Sequence, residues 1–126
     1  MTFCFLIKLE ICNFVEMKKG ILKREDDLMG LALSRYQNGE GADSLKVLCD
    51  KADEETYELS YFFRTFEEMP ETEKKALDFV KGKTLDVGCG TGIHANILQK
   101  KGIEVKAIDI SPYAIQLAQK LGVNNA

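Results

Sequence analysis

The chain has 126 residues, 45% of them hydrophobic, with 17 Lys plus Arg against 20 Asp plus Glu, a length that accommodates one domain and excludes two of ordinary size. A net charge of −3 and a pI near 5.2 supply no electrostatic drive toward nucleic acid or an anionic membrane. No apolar run approaches the ~20 residues of a membrane span, so the expectation is a soluble, cytoplasmic protein.

Residues 1–16 keep apolar side chains from Phe3 through Val15, and Met17-Lys18-Lys19-Gly20 then reads like an ordinary start. The segment 1–16 is therefore expected to be an upstream extension. Residues 17–69 follow as a mostly helical lead-in. Within them Glu25 to Tyr36 has helical spacing at Leu28, Leu31 and Leu33, and Asn38-Gly39-Glu40-Gly41 stops it. Ser44 to Cys49 is a short apolar piece. Glu54 to Glu68 sets Leu59, Phe62, Phe63 and Phe66 at i, i+3, i+4 and i+7, which predicts another helix. Residues 25–73 carry 14 acidic against 4 basic side chains, the pattern of a solvated face.

Residues 70–126 change character. Pro70 opens a helix, with Ala76, Leu77, Phe79 and Val80 as packing positions, and Gly82 ends it. Thr84-Leu85-Asp86-Val87 reads as a buried strand, followed at once by Gly88-Cys89-Gly90-Thr91-Gly92. Ile93 to Lys101 is helical, Gly102 caps it, and Ile103 to Ile108 is a second strand. Ser111 caps a last helix with Pro112 at its first position, and Ala114, Leu117, Ala118 and Leu121 line one face before Gly122. The order strand, glycine turn, helix, strand, helix predicts an α/β chain: the opening of a Rossmann-like doubly wound parallel sheet behind a helical lead-in.

The chemistry sits in the glycine turn. Gly88, Gly90 and Gly92 let the backbone bend sharply and leave no Cβ between main chain and ligand, while the next helix aims its free N–H groups at the same crevice. Asp109 ends the second strand 21 residues after Gly88, where a carboxylate accepts both hydroxyls of a ribose. An adenosine-type ligand is the minimum implied. A P-loop is excluded because no Lys-Ser or Lys-Thr follows the glycines. A dinucleotide fingerprint fits only in a shifted frame, Gly90-Thr91-Gly92-Ile93-His94-Ala95, which extends the strand through Cys89 and strands Asp86 inside it. Cys4, Cys12, Cys49 and Cys89 form no Cys-x-x-Cys pair and there is one histidine, so the expectations are thiols rather than disulfides, and no metal site.

Leu85-Asp86-Val87-Gly88-Cys89-Gly90-Thr91-Gly92, followed by Val105-Lys106-Ala107-Ile108-Asp109-Ile110-Ser111, resembles the first two motifs of the class I S-adenosylmethionine-dependent methyltransferases. Tyr61-Phe62-Phe63-Arg64-Thr65-Phe66-Glu67-Glu68-Met69-Pro70 resembles the lead-in of some bacterial members. The resemblance implies S-adenosyl-L-methionine as cofactor. It implies that Gly88, Gly90 and Gly92, with Cys89 and Thr91 between them, lie against the methionine part. Asp86 would then stand near the amino group, Asp109 on the ribose hydroxyls and Ile110 against adenine. Arg64 and Tyr61 would be candidates for a lid, and His94 for the carboxylate. No catalytic base is identifiable, and the methyl acceptor is not specified by any residue here.

Thirty-four residues follow Gly92, enough for helix, strand, helix and the start of a third strand at Val123-Asn124-Asn125-Ala126. The family's sheet has seven strands, and further βαβ units of ~30 residues each would add on the order of 100 residues. The expectation is thus a sheet truncated after its second strand-helix unit, inactive alone, and prone to self-association or to completion by another chain. A non-catalytic remnant is the alternative reading, and a dehydrogenase fragment that binds NAD depends on the shifted glycine frame.

Overall fold

A computed structural model describes residues 22–41 and 43–126. The expectation for residues 1–16, with Cys4 and Cys12, lies outside the described residues. Helix α1 spans Leu28–Gln37. Its N-cap is Asp27, whose carboxylate accepts the Gly30 N–H at 3.0 Å, satisfying one of the four orphan donors of a helix start. The same buried carboxylate accepts the Ser111 hydroxyl at 2.6 Å and the Tyr113 N–H at 3.1 Å, so one side chain serves the N-termini of two helices. Gly30 is required there, because a Cβ would stand 2.3 Å from Ser111 Oγ. Leu33 is buried as the periodicity predicts, whereas Leu28 is exposed.

The helix expected over 54–68 does not form. Strand β1 (Ser44–Cys49) pairs antiparallel with β2 (Ala52–Glu58), Leu45 opposite Tyr57 and Lys46 opposite Thr56. A 3-10 turn then covers Leu59–Phe63. The helical spacing began only at Leu59, so residues 54–58 had no apolar claim on a helix. Thr56 and Tyr57 favour a strand, and Lys46 reaches Glu54 at 2.6 Å across the hairpin. The lead-in is therefore not mostly helical. Its apolar residues still pack: Leu59 joins Leu33 and Leu117 in a small cluster edged by Tyr36, Phe62 and Phe63.

Helix α2 (Glu71–Phe79) follows Pro70. It buries Leu77, but Phe79 is 82% exposed and Ala76 is exposed as well, so only part of the predicted packing face is used. Strand β3 (Thr84–Val87), α3 (Ile93–Lys100), β4 (Val105–Ile108) and α4 (Pro112–Lys120) appear in the expected order. Ser111 Oγ accepts the Ala114 N–H at 2.9 Å with Pro112 in the first turn, as the sequence dictates. β3 and β4 pair in parallel, Asp86 beside Ala107. Carbonyls of Glu104 and Ile108 accept N–H groups from the β3 side, whereas the Ala107 N–H points the other way and donates to Asn125 at 2.8 Å. The chain after α4, where a third strand was expected to begin, thus meets the edge of β4 away from β3.

The larger core lies on one side of this pair. Met69, Leu77, Cys89, Ala95, Leu98, Val105, Ala107, Ala118 and Val123 form it, drawn from α2, α3, β4, α4 and the segments that flank them. Parallel pairing with helices between strands is the doubly wound arrangement.

Candidate functional site

The loop after β3 carries the site. Strand β3 stops at Val87, which removes the premise of the shifted glycine frame. Gly88, Gly90 and Gly92 have φ of 74°, 54° and 79°, a region open to glycine and strained for side-chain residues. Gly88 and Cys89 both donate to the Ile108 carbonyl, at 2.8 and 3.0 Å, pulling the loop over the end of β4. A Cβ on Gly90 would meet nothing within 4 Å, but one on Gly92 would stand 2.6 Å from Val123 Cγ2 and 2.9 Å from Ala118 Cβ. Gly90 therefore faces open space, and Gly92 lets α3 approach α4.

Asp109 braces this loop. Its carboxylate accepts the Gly90 N–H at 2.8 Å through one oxygen and the Ser111 N–H at 2.9 Å through the other. Each oxygen retains a lone pair for a further donor. Ile110, next in the chain, is exposed. Asp86, Gly88 to Gly92, Asp109 and Ile110 are thus gathered at the carboxyl ends of two adjacent parallel strands, the position at which doubly wound sheets bind ligands. Cys89 turns its side chain into the core. Thr91 is buried, and its hydroxyl donates to the Phe62 carbonyl, fastening the lead-in to the glycine loop.

Asp86 is only 3% exposed, and its Oδ2 is buried with no hydrogen-bond partner. Burial pushes its carboxyl above the ordinary value. The His94 charge and the Ala95 N–H oppose that rise, and Asp109 adds to it. Among the described residues one other side-chain atom is buried and unpaired, Arg64 Nε. These two buried atoms are an acceptor and a donor without partners, which is costly unless a ligand meets them.

Arg64 does not lie loose. Its guanidinium sits 3.9 Å from the Tyr61 ring centroid, donates to the Tyr61 carbonyl at 2.7 Å, and reaches both oxygens of Glu73 at 2.5 and 2.8 Å. His94, in the first turn of α3, pairs through Nε2 with the same Glu73. Burial alone would raise the Glu73 carboxyl. The hydrogen bonds and charges of Arg64 and His94 outweigh it and hold the group below its ordinary value. Sequence reasoning singled out Arg64 and His94 but missed Glu73, whose place in an acidic first turn reads as an ordinary complement to the helix dipole.

Residues 85–126 match the family of the methyltransferase domain. The fold is similar to that of a SAM-dependent methyltransferase from Bacteroides fragilis, solved in complex with S-adenosyl-L-homocysteine. That similarity has a TM-score of 0.78 and 39% identity, covering 85% of this chain and 44% of that one. Over 38 residues the chain is 47% identical to the mitochondrial ubiquinone biosynthesis O-methyltransferase of Schizosaccharomyces pombe, which is 30% of this chain and 14% of that protein. The chain spans less than half the length of either relative. The glycine loop and the parallel pair lie in the stretch that matches the methyltransferase domain, and the fold around them is similar to that of the SAM-dependent methyltransferase.

Proposed function

We propose that this chain carries the cofactor-binding part of a methyltransferase and takes S-adenosyl-L-methionine at the carboxyl ends of β3 and β4. One observation carries the reading: the two unpaired buried atoms, Asp86 Oδ2 and Arg64 Nε, are an acceptor and a donor. An α-amino acid end brings an ammonium for the first and a carboxylate for the second. Gly90 opens to empty space in the loop after β3, and with this acceptor and donor the residues present fit the methionine part of the cofactor. Asp109, already braced on Gly90 and Ser111, has lone pairs left for ribose hydroxyls, and exposed Ile110 offers an apolar surface to adenine.

The bound cofactor supplies an electrophilic sulfonium methyl, so the protein's task is chiefly to orient it and keep water away. The chain does the first through the glycine loop and Asp109. A cytoplasmic location goes with this reading, supported by an acidic composition without any run of span length. Titration calorimetry of the full chain with S-adenosylmethionine, S-adenosylhomocysteine and NAD tests it. Saturable heat with the first two and none with NAD is expected. Heat with NAD alone, or with none of the three, would overturn it.

A further inference from the structure

We propose that Glu73 is a positioning residue of the cofactor site: one carboxylate holds Arg64 and His94 at once and so sets where both stand relative to Asp86 and the glycine loop. The inference rests on the methyltransferase reading and adds to it a residue that the motifs do not contain.

Three stretches distant in sequence meet at this carboxylate. Arg64 comes from the loop after the 3-10 turn, Glu73 from the first turn of α2, and His94 from the first turn of α3 directly after Gly92. Arg64 contacts both Glu73 oxygens, and its side chain is 11% exposed. An Arg so enclosed needs a counterion, and loss of that counterion leaves an uncompensated charge. The contacts from Arg64 and His94 hold the Glu73 carboxyl below its ordinary value against the opposing effect of burial. Glu73 thereby fixes Arg64 through Nη2, with Nε left as the unpaired donor, and holds the His94 ring in the first turn of α3. Without Glu73, Arg64 and His94 lose the carboxylate that holds them, and the unpaired Arg64 Nε loses its fixed direction.

The decoration of the surroundings agrees with a site rather than with a surface ion pair. Other ion pairs among the described residues, such as Lys46 with Glu54 and Lys101 with Asp78, are largely exposed and join two side chains only. Exposed pairs of that kind contribute little. The Glu73 pair is largely enclosed and joins three stretches of the chain, and His94 follows the glycine loop directly.

The test uses the full chain, S-adenosylhomocysteine as probe, and the one histidine of the sequence as a reporter in NMR. Wild-type protein is expected to bind the probe and to shift the His94 imidazole resonance on binding. Glu73→Gln is expected to weaken binding by about tenfold or more, the scale of a lost charge-assisted contact, and to abolish that shift. Leu77→Ala, a buried change on the same helix, separates positioning from general loosening: it should lower stability and leave the dissociation constant unchanged. Should Glu73→Gln not fold, Glu73→Asp keeps the charge but is one methylene short of spanning both side chains, and about threefold weaker binding is expected. Unchanged binding in a folded Glu73 variant overturns the proposal, as does equal weakening by Leu77→Ala. A wild-type chain that binds no probe overturns the methyltransferase reading, and the role of Glu73 with it.

Discussion

The two faces of the β3–β4 pair meet opposite surroundings. On one, Asp86, Val105 and Ala107 are buried beneath α3 and α4. On the other, Leu85 and Val87 are each 53% exposed, with Ile108 beside them. Within β3 polarity runs against the usual rule, since its carboxylate is on the covered face and its Leu85 and Val87 are on the open one. Apolar residues on both faces are what a doubly wound strand presents, so burial here is decided by which helices pack, not by the strand's own composition. A carboxylate held on the covered side at an energetic cost is what marks a site.

The largest effect is expected where the covered side is tightest. Gly92→Ala adds a Cβ 2.6 Å from Val123 Cγ2 at a φ of 79°, combining overpacking with left-handed strain. A loss of about 3 kcal/mol is expected in urea unfolding. Gly90→Ala, with open space around it, should lose only about 1 kcal/mol. Equal losses at the two positions would remove the distinction between the glycine that packs helices and the one that faces the ligand.

Asp86→Asn sharpens the comparison through pH. Burial raises the folded-state pKa of Asp86 above its ordinary value, so its contribution to stability is present in acid and is lost as pH rises through the folded pKa. Removing the ionisable group should raise stability at pH 7.5 by on the order of 1 kcal/mol, while weakening S-adenosylhomocysteine binding. Thermal unfolding at pH 5 and 7.5 reads this directly. A variant that is less stable than wild type at pH 7.5 would show that Asp86 is satisfied within the protein.

The smallest effect belongs to the open face. Val87→Thr keeps the branched strand shape and changes a half-exposed surface, so a shift within about 0.5 kcal/mol is expected. A loss several times larger in the same urea experiment would mean that this face is covered in the folded protein.

Legibility followed locality. Asp86, the three glycines and Asp109 could be read because a strand end, a tight loop and a helix start are encoded by neighbouring residues. Ser111 and Pro112 announced α4 for the same reason. The hairpin over 44–58 was missed because its partner strands choose each other across the chain, and the pattern at Leu59 to Phe66 masked it. The helix expected from Glu25 starts at Leu28 because Asp27 caps it, and nothing local says that Ser111 and Tyr113 will share that carboxylate.

By itself, then, the sequence determined the glycine loop, its flanking strands and helices, and the ligand class to which that loop is suited, since each rests on backbone preferences within a few residues. Only the tertiary structure decided that one face of β3 and β4 is covered. It also decided that Thr91 fastens the lead-in to the loop, and that a glutamate from α2 joins an arginine and a histidine lying 30 positions apart. Those choices depend on which distant surfaces exclude water together, and no short-range pattern records them.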